Sequence, residues 1–179
     1  MLGQDRNRRT AVCYYYCYFG NNQDETTPFL CWVLSQLCRQ ARRIPDNISG
    51  LRQDGCRPSD EELLKGLQDI LGSFDAVYVV IDAVDESNQR ENLVGLLATL
   101  VQDAKYQKIQ LLATSREYED IRLTFSPLAS AISMANEEVE QDIRTFVRAD
   151  LGARSSFKGW SQALLDYAEN TLAREAKGM

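Results

Sequence analysis

Three short apolar runs do most to narrow what this chain can fold into: AVCYYYCYF (11–19), VYVVI (77–81) and IQLLA (109–113). The first two are dense in β-branched and aromatic residues, and none is long enough for a buried helix. An apolar run without polar alternation is the pattern of a strand covered on both faces. The segments between the runs carry apolar residues at helical spacing. Short strands alternating with amphipathic helices imply a parallel sheet flanked by helices, an α/β layered domain.

The helices announce themselves through their ends. Thr27-Pro28 reads as a cap followed by proline at the first helical position, with Leu30, Val33, Leu34, Leu37 and Cys38 on one face. Ser59-Asp-Glu-Glu62 is a capping box ahead of Leu63, Leu64, Leu67, Ile70 and Leu71. Leu93, Leu96, Leu97, Leu100 and Val101 mark a further helix. Asn136 caps one carrying Val139, Ile143, Phe146, Val147 and Leu151, and a last helix runs from about Ser161 to Lys177. The stretches 44–58 and 152–160 read as linkers, and neither separates two cores.

Composition removes several chemistries. The chain of 179 residues holds no histidine, which excludes Ser-His-Asp and Cys-His catalysis, HExxH zinc sites and an imidazole switch. A net charge of −6 offers no basic surplus for a phosphate backbone, and the Arg39, Arg42, Arg43 cluster reads as a solvated helix face. Five cysteines without a CxxC pair read as buried thiols acting as small hydrophobes. Arg6, Arg8 and Arg9 ahead of an apolar run mimic a signal peptide, but the run is tyrosine-rich and leads into NNQDE. No stretch approaches the ~18 apolar residues of a membrane span. The expected location is the cytoplasm.

The candidate chemistry lies at VYVVIDAVDES. In open α/β sheets ligands sit beyond the carboxyl ends of the strands. Asp82 is the first polar residue off its strand, and Asp85 and Glu86 follow in the turn. One carboxylate suits a magnesium ion that also holds phosphates and waters, and a second acid suits orientation of an attacking water. Equally, acids simply end strands and start helices. Thr114-Ser115-Arg116 also follows a buried strand directly, so it belongs to the same rim. A guanidinium there can read a terminal phosphate, or can pair with Glu117 or Glu119.

VYVVIDAVDES followed by KIQLLATSRE resembles the extended Walker B and sensor 1 segments of NACHT-type signal-transduction NTPases (the STAND class of P-loop NTPases). The nearest variety is the fungal nephrocystin-type N-terminal module, found ahead of ankyrin or tetratricopeptide repeats. AVCYYYCYFGNNQDETTPFLCWVLSQLCRQ is similar to the second strand and helix of that module, and EEVEQDIRTFVRADL to the region after the sensor. The resemblance spans roughly residues 10–179. It implies an incomplete P-loop NTPase-like core over residues 1–151 and, over 152–179, a C-terminal helix opening a helical subdomain. It further implies Asp82 as the magnesium acid, Asp85 and Glu86 as hydrolytic acids, and Ser115 and Arg116 as contacts to bound nucleotide, ATP or ADP with magnesium.

The family binds phosphates through GxxxxGK[ST], and this sequence has no such motif: none of its five lysines follows a glycine-rich turn. The resemblance therefore implies a module beginning after the P-loop helix, with the family's missing strand lying between 77–81 and 109–113. Weak or no nucleotide binding and little activity alone are expected. The second expectation is a non-catalytic interaction module, its strands 77–81 and 109–113 either pairing directly or leaving a gap for strand addition. Protein partners or self-association are expected, and neither nucleic acid nor membrane.

Overall fold

The computed structural model describes residues 9–53, 57–134 and 136–176. Three strands, β1 (Thr10–Tyr16), β2 (Ala76–Asp82) and β3 (Ile109–Ala113), form one parallel sheet in the order β1-β2-β3. Between β1 and β2 lie α1 (Thr26–Ala41), α2 (Asp46–Gln53) and α3 (Asp60–Leu71), and between β2 and β3 lies α4 (Arg90–Gln102). The short α5 (Glu119–Phe125) follows and packs on α4.

Both crossovers step across the sheet in the same direction. Right-handed connections of that kind lay all their helices on one face. Burial bears this out. Ala11, Cys13, Val77, Val79, Ile81 and Ile109 are buried against Phe29, Val33, Leu37, Leu67, Ile70, Leu93 and Leu97. Each valine, leucine, isoleucine or phenylalanine among them, withdrawn from water, contributes about 1.5–3 kcal/mol.

The opposite face is bare, which corrects the expectation of two-sided burial. Register places Val12, Tyr78 and Gln110 in one row, Tyr14, Val80 and Leu112 in the next. Val12, Tyr14, Tyr16, Tyr78 and Leu112 are all 42–65% exposed. Of the two arrangements expected for 77–81 and 109–113, direct pairing is the one observed: β2 and β3 pair from Val77↔Ile109 to Ile81↔Ala113, so no gap is left and no strand lies between them. Further strands have only the outer edges. The β1 edge is already occupied by two side chains of α1. Gln36 donates to the Tyr14 carbonyl (2.8 Å) and accepts from its N–H (3.3 Å). Gln40 treats Val12 likewise, at 2.9 and 3.2 Å.

Helix ends follow the local chemistry. Ser59 and Glu62 form the expected capping box. Helix α1 starts earlier than its proline suggests, because the Asp24 carboxylate accepts the Thr26 N–H (2.9 Å) and sets the first turn there. Helix α2 occupies a stretch that reads as linker. It holds its place through Ile48, which lies so close to Gly66 on α3 that a Cβ at 66 would sit 2.8 Å from it. Cys13 and Cys17 are buried as expected, whereas Cys31 is exposed; Cys56 lies outside the described residues.

The chain divides after Ala129 into two compact units, and the boundary expected after 151 falls within α6 (Glu137–Ala153). In the second unit α6 packs on α7 (Gln162–Ala176). The Asn136 side chain caps α6 by accepting the Val139 N–H at 2.9 Å. Arg148 grips the buried Glu169 through two bonds of 2.8 and 2.7 Å. Phe146, counted on the apolar face of α6, is exposed. Among the described residues no helix is long and apolar enough to cross a membrane.

Candidate functional site

Parallel strands end together, so the residues leaving β1, β2 and β3 share one rim of the sheet. Tyr16 stands opposite Asp82. The Cys17 N–H donates to the Asp82 carbonyl (3.0 Å) and the Thr114 N–H to the Ile81 carbonyl (2.9 Å). Thr114 ties the rim from the other side: its hydroxyl donates to Asp82 Oδ1 and accepts the Ala83 N–H, and its carbonyl accepts the Val84 N–H. Ala83 takes a left-handed backbone conformation (φ 56°). That conformation costs a non-glycine residue roughly 1–2 kcal/mol, and here it swings the chain from strand into the short turn Val84–Glu86.

The turn aims the two acids in different directions. Asp85 faces the loop after β3, where its Oδ1 accepts the Arg116 N–H (3.1 Å) and its Oδ2 lies 3.6 Å from the guanidinium Nε. Its side chain is only 7% exposed. Glu86 faces the loop after β1 and accepts the Phe19 N–H at 2.9 Å. Ser115 is exposed and its hydroxyl donates to the Arg116 carbonyl (2.7 Å). Arg116 pairs with neither Glu117 nor Glu119; Glu119 is taken by Arg122 through bonds of 2.7 and 3.0 Å. All five sequence candidates therefore stand on one rim. Asp82 and Arg116 do not touch each other, and each is held by a different partner.

Sequence reasoning missed Glu25. This carboxylate is 1% exposed, accepts the Tyr15 hydroxyl, and lies 3.3–3.4 Å from the side-chain amides of Asn21 and Gln23. Its N–H donates to Ser87 Oγ (3.2 Å), and the Asn88 N–H reaches the Gln23 carbonyl (3.0 Å). The loops after β1 and β2 are thereby zipped together. Burial first, and then the hydrogen bond to Glu25, holds the Tyr15 phenol far above its ordinary range. Burial, followed by the nearby Glu25, Glu86, Asp85 and Asp82 carboxylates, pushes the Cys17 thiol up to about 12. In sequence Glu25 is one acid in a polar loop, and nothing in its neighbours marks it as buried.

The donor set limits what the rim can hold. Among the described residues no three or more His, Cys, Asp or Glu side chains are grouped as a metal site. Asp82 is only half-buried, so it fits the single-carboxylate contact that suffices for a hydrated cation shared with phosphates. For the phosphates themselves the rim offers the Arg116 guanidinium, already turned toward Asp85. The residues fit a cation contact and do not fit a triphosphate cradle.

A family model described as nephrocystin 3, N-terminal, matches residues 2–116, a span that takes in all three strands and ends on Arg116. No curated protein and no solved structure matches the chain significantly. With the matched span covering well over half of its length and the entire rim just described, the chain belongs to the nephrocystin 3 N-terminal family.

Proposed function

We propose that this chain is part of an intracellular signal-transduction NTPase of the NACHT kind, and that by itself it binds nucleotide weakly or not at all. The observation that carries this reading is the common rim. Asp82 is tied to Thr114 and Asp85 to Arg116, so the end of β2 and the loop after β3 form one continuous polar edge. In this reading Asp82 supports the hydrated magnesium ion, Asp85 and Glu86 hold the water side, and Ser115 and Arg116 meet the terminal phosphate. Bound magnesium would supply charge neutralisation of the phosphates.

The same geometry argues for weak binding. Each of the three acids already accepts a hydrogen bond from the chain, and Arg116 faces Asp85. Three carboxylates beside a triphosphate repel it; the sequence holds no glycine-rich lysine loop, and among the described residues no helix N-terminal nest at the rim offsets this. Isothermal titration with MgATP is the test. Little or no heat is expected at micromolar protein, and a dissociation constant near about 1 μM, worth ~8 kcal/mol, overturns the reading. A non-catalytic interaction module is the second reading, favoured by the bare aromatic face of the sheet.

A further inference from the structure

The exposed sheet face is the most unusual surface of the first unit. Parallel sheets are ordinarily covered on both sides. Here the rows Val12–Tyr78–Gln110, Tyr14–Val80–Leu112 and Tyr16–Asp82 form an open apolar surface whose single charge, Asp82, lies at the end. The rings of Tyr14 and Tyr16 already lie 5.9 Å apart in a tilted contact, so the face presents a set surface rather than loose side chains.

We propose that this face is the contact of a two-fold dimer, one copy of the chain seated on the same face of another. Size argues first. Val12, Tyr14, Tyr16, Tyr78 and Leu112 leave together about 500 Å² of side chain open, taking an aromatic side chain as 150–250 Å². That equals the upper range of the largest patch on an ordinary monomer, about 300–600 Å². A stable interface takes about 800 Å² per partner, so these five residues supply more than half, with Val80, Gln110 and the rim making up the rest.

Chemistry argues second. The chain carries a net charge of −6, yet the rows are uncharged up to their edge, so the repulsion between copies is least where they would meet. Tyrosine-rich, lysine-free composition is that of an interface core. Two such faces pack about 10 Å apart with their strands within about 30° of alignment. A two-fold axis crossing the strands at the Val80 row keeps the two Asp82 carboxylates at opposite ends. Edge pairing of β1 is not available as a competing mode, because Gln36 and Gln40 occupy that edge. The inference is independent of the nucleotide reading.

Sedimentation velocity of the full chain between about 1 and 100 μM, the range in which weak to moderate dimers dissociate, tests it. The expected result is a concentration-dependent species of twice the 20.3 kDa chain mass. Tyr14→Lys and Tyr78→Lys are each expected to raise the dissociation constant about thirtyfold or more, the loss of a buried tyrosine hot spot. Tyr14→Phe is expected to stay dimeric. Where a lysine variant fails to fold by circular dichroism, oxidative footprinting of the unaltered chain decides. Tyr14 and Tyr78 should lose reactivity as concentration rises while the exposed Tyr167 keeps it. A monomer throughout, a dimer untouched by both lysine variants, open-ended assemblies, or a footprint that does not change with concentration would each overturn the proposal.

Discussion

Arg116 meets Asp85 twice, through a backbone N–H at 3.1 Å and a guanidinium Nε at 3.6 Å, and only the second contact depends on the arginine side chain. The acid is almost fully covered while the guanidinium is 56% exposed. This asymmetry separates the two residues. Arg116→Ala keeps the backbone bond and loses a solvent-screened pair, so a cost of at most about 1 kcal/mol is expected. Asp85→Ala loses both contacts and leaves the Arg116 N–H without its acceptor, so about 1–3 kcal/mol is expected. Urea unfolding of the two variants checks the order; equal losses would mean that the side-chain pair, not the backbone bond, holds the rim.

The paired glutamines on α1 act as a substitute strand. Each both donates to and accepts from one residue of β1, which is what a neighbouring strand would do. Gln36→Ala with Gln40→Ala removes four bonds at a partly solvated edge. The expected cost is about 1–3 kcal/mol in total, from about 0.5–1.5 kcal/mol per net bond less the share that water restores. An uncovered edge also invites pairing between chains, so light scattering on warming should rise earlier in the double variant. Unchanged scattering with unchanged stability would show the edge needs no cover.

Two buried thiols set an alkaline limit. Burial raises Cys13 to about 11, against a smaller lowering by its Gln40 contact, and raises Cys17 to about 12. Below the usual thiol value of about 9 both states hold the proton and pH has no leverage. Between that value and about 11–12 the unfolded chain has released protons the folded chain still binds, so stability falls as pH rises. Cys17→Ala should flatten that fall. Iodoacetamide under native conditions at pH 8 should label the exposed Cys31 and spare Cys13 and Cys17, as read by peptide mass spectrometry; rapid labelling of Cys17 would contradict its burial.

Gly66 is a packing position, not a turn. A Cβ there would lie 2.8 Å from Ile48 Cγ1 and 3.3 Å from Leu34 Cδ2. Gly66→Ala gains about 1 kcal/mol of helix propensity but loses about 1–3 kcal/mol to overpacking. A net loss of about 1 kcal/mol is expected, lowering Tm by roughly 2–4 °C for a chain of this size. In an Ile48→Ala background the same change should become neutral or favourable. An identical cost in both backgrounds would remove the contact as its cause.

The acids of VYVVIDAVDES and the arginine of ATSRE were legible as rim residues, because the end of an apolar run marks where a parallel strand leaves the packed layer. Their partners were not legible. Sequence offered Glu117 and Glu119 to Arg116, the near neighbours; folding brought Asp85, which lies on another strand's turn. Glu25 and Ser87, far apart in the chain, meet only because β1 and β2 end side by side. Helix α2 escaped notice because its hold on α3 is the close approach of Ile48 to Gly66 and one bond from the Asn47 amide to the Glu62 carbonyl (2.9 Å), with no apolar periodicity to signal it.

The sequence by itself determined the three strands, the capping box of α3 and the crowding of acids at the end of β2, since each rests on residues adjacent along the chain. Only the tertiary structure decided that β2 and β3 touch without a strand between them, that every helix of the first unit's crossovers lies on one side, and that a tyrosine face is left open on the other. An apolar run says that side chains avoid water; the direction in which successive crossovers step across the sheet decides which of its two faces is given the cover.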